Sequence, residues 1–118
     1  MSTRATVHFR KNNQTRAIVY RHYDGYPEDL GRDLERFLSD VEAQVPEDTR
    51  FGDPSYLAAK FVVWQAKEYA KNSDRPLAFL GVGISMEDPG DIEYRYRLDC
   101  STCERPSVKV QRAQNKEE

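Results

Sequence analysis

Long apolar runs are missing from this chain of 118 residues. None approaches the ~20 residues a helix needs to span a bilayer, and the N-terminus has no apolar leader segment. No membrane association is therefore expected, and the expected compartment is cytoplasmic. Cysteine and histidine are sparse, at two residues each. The length is enough to bury a core without disulfides or metal. Signatures of hydrolytic or nucleotide chemistry are also absent. There is no Gly-x-Ser-x-Gly, no His-Glu-x-x-His, no P-loop and no pair of carboxylates in a recognisable frame. Gly81-Val82-Gly83 lacks the third glycine and the following helix of a dinucleotide fingerprint. His22 and Asp24 have the types of a base and its orienter, but as alternate residues at a strand end they read more simply as part of a turn. An enzyme is not expected. Asn13-Gln14-Thr15 matches a glycosylation sequon, and without an export signal it too reads as a turn.

What is present is charge. The charged fraction is 32% against 38% hydrophobic, with a net charge of −2. That composition fits one small domain, residues 1–112, with a thin core and a frayed polar tail, 113–118. The charge is unevenly placed. Residues 1–26 carry five basic side chains and one acidic, hence +4; residues 27–53 carry three basic and nine acidic, hence −6. A basic strand region and an acidic helix are expected. This is either ordinary solvated surface or a field that steers a partner.

Residues 4–10 alternate, with Ala5, Val7 and Phe9 opposed to Thr6, His8 and Arg10, which is the period of a half-buried strand. A polar turn leads to a second strand, 16–23, whose facing is ambiguous between Ala17/Val19 and Ile18/Tyr20. Asp24-Gly25-Tyr26-Pro27 then makes a corner. Glycine tolerates positive φ, aspartate accepts local backbone bonds, and proline suits the first position of a helix. Leu30, Leu34, Phe37, Leu38, Val41 and Val45 form one apolar stripe at helical spacing. Gly31 costs that helix roughly 1 kcal/mol, which suggests close approach to another backbone. Asp53-Pro54 opens a second helix as N-cap and first residue. Strands are expected at 77–86, 92–99 and 107–112. The order ββααβββ, with short turns, predicts a two-layer α+β domain. Its expected form is an antiparallel sheet of about five strands with both helices on one face.

Three places carry candidate chemistry. Tyr23, Asp24 and Tyr26 put two aromatic rings and a carboxylate at a tight corner beside a helix N-terminus, where an anion or a partner's side chain can be held. The alternative is that the corner only redirects the chain and the tyrosines pack. Arg95 and Arg97, with His8 and Arg10, are expected to line a flat groove on the open sheet face, next to Gly81 and Gly83. Such a face suits RNA or a single strand, although Phe79 is the main stacking candidate and the acidic balance argues against nucleic acid. A solvated face or a homodimer contact fits as well. Cys100 and Cys103 form a single C-x-x-C. Two thiolates can share a zinc ion, but a structural site takes about four ligands and no second pair exists. Two reduced thiols in a turn is the simpler reading, and no cofactor is otherwise implied.

Ser2-Thr3-Arg4, then Tyr20-Arg21-His22-Tyr23-Asp24-Gly25-Tyr26-Pro27-Glu28, then Gly31, resembles a family of short uncharacterised proteins of bacteriophages and bacteria. Its members begin Met-Gly-Thr-Arg and carry an aromatic-Asp-Gly-Tyr-Pro motif after a hairpin. Asp91-Ile92-Glu93-Tyr94-Arg95-Tyr96 is similar to a C-terminal strand in some members, and Ser2 departs from the family's glycine. The resemblance implies a mobile-element or bacterial accessory protein and supplies no catalytic residue. The expected function is binding to another protein, including modulation of a host or defence system. The alternatives are a nucleic-acid binder using Arg95 and Arg97, and a small metal or ligand site.

Overall fold

The computed structural model describes residues 3–78, 80–100 and 104–113. Ser2, Phe79, Cys103 and the tail 114–118, each part of an expectation above, lie outside them.

The chain opens with a hairpin of β1 (Ala5–Lys11) and β2 (Gln14–Arg21). Asn12 and Asn13 link them, both left-handed at φ 55° and 64°. Two such residues give a turn whose twist matches the strands, and asparagine tolerates that conformation best after glycine. The register shifts between Phe9, opposite Ala17, and Arg10, opposite Thr15. Arg16 is the extra residue of this bulge, and it resets the parity of β2. Ala17, Val19 and Arg21 therefore share a face with Phe9, Val7 and Ala5.

After the corner, Pro27–Gly31 forms one π-helical turn that leads into α1 (Arg32–Gln44). Leu30, Leu34, Phe37, Leu38 and Val41 are buried, as their spacing predicts. Asp53 caps α2 (Pro54–Ala70), its Oδ1 accepting from the amides of Ser55 and Tyr56 at 3.0 and 3.3 Å. Three short strands follow: β3 (Val82–Ser85), β4 (Tyr94–Asp99) and β5 (Val108–Arg112). β3 is shorter than expected because Gly81 turns left-handed at φ 73° and ends the extended run.

The sheet order is β3-β2-β1-β4-β5. Three neighbouring pairs are antiparallel, but β1 and β4 are parallel, so the expectation of a wholly antiparallel sheet is corrected to a mixed one. The cause is the position of β3. It adds outside β2, so the chain must cross back over β2 and β1 before β4 can join the sheet on β1's other side. Segment 86–93 makes that crossing. Both helices lie on one sheet face, where Val7, Phe9, Val19, Tyr96 and Leu98 meet Leu34, Phe37, Leu57 and Phe61 in a single core.

Two glycines of the corner region behave oppositely. A Cβ on Gly25 would lie 2.8 Å from Ala5 Cβ and 2.9 Å from the Thr3 carbonyl. Gly31 is helical, at φ −59° and ψ −44°, and its Cβ would meet Tyr96 at an ordinary 3.7 Å. Gly31 thus needs no close backbone neighbour, contrary to the expectation. Gly25→Ala should destabilise the protein by roughly 1–3 kcal/mol through overpacking. Gly31→Ala should stabilise it by about 0.5–1 kcal/mol. Urea unfolding of both variants checks the pair, and shifts of the same sign would contradict it.

Candidate functional site

At the corner, the left-handed residue is Asp24, at φ 57°, and Gly25 is required by close packing. The Gly25 amide donates to the Thr3 carbonyl at 2.9 Å, and its carbonyl accepts from the buried Tyr96 hydroxyl at 2.7 Å. Burial pushes that hydroxyl well above the usual tyrosine range. Tyr23 and Tyr26 are 52% and 41% exposed. They lean apart. Tyr23 lies edge-on to His22 at 4.5 Å and beside Gly81, whereas Tyr26 meets Tyr94 at 6.2 Å. Asp24 is exposed between them. The three residues surround the turn without converging on one space.

Contrary to the expectation of an open face, the centre of the sheet face carrying Arg95 and Arg97 is covered. Thr6, His8 and Ile18 on that face are buried, because segment 86–93 passes over it. Asp88 of the crossing binds Arg95 at 2.7 Å through Nε and 2.6 Å through Nη2, and Asp91 binds Arg4 at 2.9 Å. Gly81 lies outside β3 and is left-handed, so it and Gly83 do not line one strand face. Burial holds His8 below its ordinary 6.5; Asp88 opposes that shift, while Arg95, Arg10 and Arg97 add to it.

Cys100 is 1% exposed, and burial pushes its thiol up to about 11, with Asp99 contributing. The thiol form is therefore favoured at neutral pH. Among the described residues no three histidine, cysteine or carboxylate side chains are grouped to hold a metal.

The charge segregation of the sequence is partly consumed inside the fold. Arg4, Arg10 and Arg21 of the basic segment pair with Asp91, Asp99 and Asp33. In the acidic segment, Glu35 and Glu42 pair with Arg105.

A surface concavity lies elsewhere. Residues of α1 and α2 line a groove of about 1020 Å³, at the upper end of ordinary ligand sites. Its apolar walls come from Phe37, Val41 and Val45 on one side and Trp64, Val63 and Tyr56 on the other. Tyr56 and Val63 are 68% and 60% exposed. Trp64 is fixed in place. Its Nε1 donates to Asp40 at 2.7 Å, its ring stacks on Phe61 at 6.3 Å, and the Arg36 guanidinium covers it at 5.3 Å. Lys60 and Lys67 line the α2 side. The sequence reading missed this groove. Its signal was the run Phe61-Val62-Val63-Trp64, since four consecutive apolar residues cannot all face one side of a helix.

Two outcomes follow from the buried groups. His8 binds its proton more weakly folded than unfolded, so its contribution is full above pH 6.5 and is lost as pH falls. Thermal melts should show wild type losing stability relative to His8→Gln below that pH; parallel curves would contradict it. In a Cys103→Ser background, Cys100 should react with a disulfide reagent at neutral pH only on unfolding, and prompt native-state labelling would contradict its burial.

Comparison of the chain with protein-family models, with curated proteins and with solved structures finds no match.

Proposed function

We propose that this chain is a small non-enzymatic accessory protein that binds another protein through the groove between α1 and α2. The occupant is an amphipathic helix with an apolar face and acidic flanks. The observation that carries this reading is the exposed apolar surface of Tyr56 and Val63 beside the fixed Trp64. Apolar grooves between helices take apolar helix faces, and aromatic anchors concentrate the binding energy. Charge selects the partner. Lys67 has no carboxylate partner among the described residues, and Lys60 lies over the Tyr56 ring at 5.6 Å. Both are free to meet acidic groups at the rim. The resemblance to short phage and bacterial proteins supports an accessory role, such as modulating a host or defence system.

Nucleic-acid binding through Arg95 and Arg97 is the weaker reading. Arg95 is already held by Asp88, and the net charge is −2.

The test is affinity capture with three forms of the protein: wild type, Val63→Asp, and Lys60→Glu with Lys67→Glu. Val63 and Lys67 are exposed and Lys60 is half-buried at the surface, so near-unchanged melting temperatures are expected. A partner captured by wild type should be lost with Val63→Asp and weakened by the lysine reversals. The fluorescence of Trp64, the single tryptophan, should shift on titration with that partner. A partner indifferent to both variants, or one that is a nucleic acid, would overturn the proposal.

A further inference from the structure

The two edges of the sheet are built differently. β5 closes one side and carries Lys109 and Arg112 among its five residues. Charged side chains of this kind keep a sheet edge from pairing with another chain. β3 closes the other side with Val82, Gly83, Ile84 and Ser85. No residue from Pro76 to Met86 is charged. Ile84 is 66% exposed, and Leu77 and Met86, which flank the strand in sequence, are exposed as well. β3 therefore has none of the charges that guard β5.

The register of β3 on β2 fixes which backbone groups stay unused. The His22 amide donates to the Gly81 carbonyl at 2.9 Å. Tyr20, two residues before His22, is opposite Gly83, and Ile18 is opposite Ser85. In an antiparallel pair, residues that exchange bonds alternate with residues whose amide and carbonyl point away. Gly83 and Ser85 bond to β2, so Val82 and Ile84 point away from it. Their N–H and C=O groups face the free edge, and no backbone group outside the sheet bonds to them among the described residues. Gly83 lies between them, and nothing within the described chain calls for glycine there. It is not left-handed, and a Cβ on it would meet no atom within 4 Å. Glycine inside a strand costs roughly 0.5–1 kcal/mol relative to alanine. It often marks a place where another backbone approaches closely.

We propose that β3 pairs antiparallel with β3 of a second copy of this chain, about a twofold axis at Gly83. In that register Val82 of each copy exchanges both backbone bonds with Ile84 of the other, so both outward residues of each copy are used. Gly83 then faces its own counterpart at the ~4.5 Å Cα spacing of a non-bonded pair, the closest approach between strands. Side chains match in the same register. Val82 and Ile84 are opposite Arg21 and Val19, so both project to the helix side of the sheet. Each meets an apolar counterpart there. The strand is thus complementary to itself: apolar against apolar, glycine against glycine, with no charge on either side to repel.

This proposal is independent of the groove between the helices. The contact is short, so dimerisation should depend on concentration. The experiment is sedimentation equilibrium of the full chain from micromolar to millimolar protein, with amide hydrogen exchange followed by NMR at both ends of that range. The wild type should pass from monomer to dimer. The Val82 and Ile84 amides should exchange quickly when dilute and become protected when concentrated, while those of Gly83 and Ser85, bonded to β2, stay protected throughout. Ile84→Lys should raise the dissociation constant about tenfold or more, since the twofold axis introduces the lysine twice. Val110→Lys on β5 and Val63→Asp in the groove should leave it unchanged. All three side chains are exposed, so the variants should fold, as melts check. A wild type that stays monomeric, a dimer indifferent to Ile84→Lys, or Val82 and Ile84 amides that respond only when a different protein is added would overturn the proposal.

Discussion

One buried guanidinium holds the parts of this domain in their relative positions. Arg21, at the end of β2, is 7% exposed. Its Nε donates to the Tyr23 carbonyl at 2.8 Å; its Nη1 donates to Asp33 on α1 at 2.9 Å and to Gln65 on α2 at 3.0 Å. A charge taken out of water is tolerated only when its donors are met. Here meeting them requires the corner and both helices to be in place together. The Tyr96 hydroxyl adds a second anchor beneath the corner, at the Gly25 carbonyl. The Asp-Gly-Tyr-Pro turn is thus gripped from its buried side, and its tyrosines are left to pack outward on neighbouring rings.

The same constraint explains where surface is left for binding. The chain covers both faces of a five-stranded sheet with little material. Two helices cover one face, and a connection of a few residues covers the other. α2 must place Gln65 on Arg21 and Phe61 in the core, which turns Tyr56 and Val63 away from the sheet. Arg36 bridges α1 to Glu68 at 3.1 Å and tops the indole of Trp64. The groove is therefore a by-product of how α2 is anchored, with a rigid aromatic floor. On the second face, the crossing segment brings Asp91 to Arg4 and Asp88 to Arg95, and no carboxylate of the crossing pairs with Arg97. The groove between the helices and the half-buried Arg97 thus lie on opposite sides of one sheet.

Much of the local structure was legible in the residues. The Asp53-Pro54 cap, the Leu30-to-Val41 stripe and the alternation of β1 each depend on neighbours a few positions away, and short-range rules govern them. Facing in β2 was unreadable for a physical reason. A bulge at Arg16 resets its parity, and both of its faces are covered, so Ile18 and Val19 are buried alike. The role of glycine at the corner was misread for a similar reason. Turn chemistry suggested that Gly25 supplied positive φ, but Asp24 takes that conformation, and Gly25 is needed where Thr3 and Ala5 pass close by.

By itself the sequence determined an α+β chain with two amphipathic helices, the hairpin and the caps, because hydrophobic period and turn residues act over a single element. Only the tertiary structure decided the rest. Where β3 joins the sheet sets the parallel pairing of β1 with β4, the path of segment 86–93, and which arginines are neutralised. These are consequences of long-range pairing, in which residues such as Arg95 and Asp88 meet because the strand order brings them together.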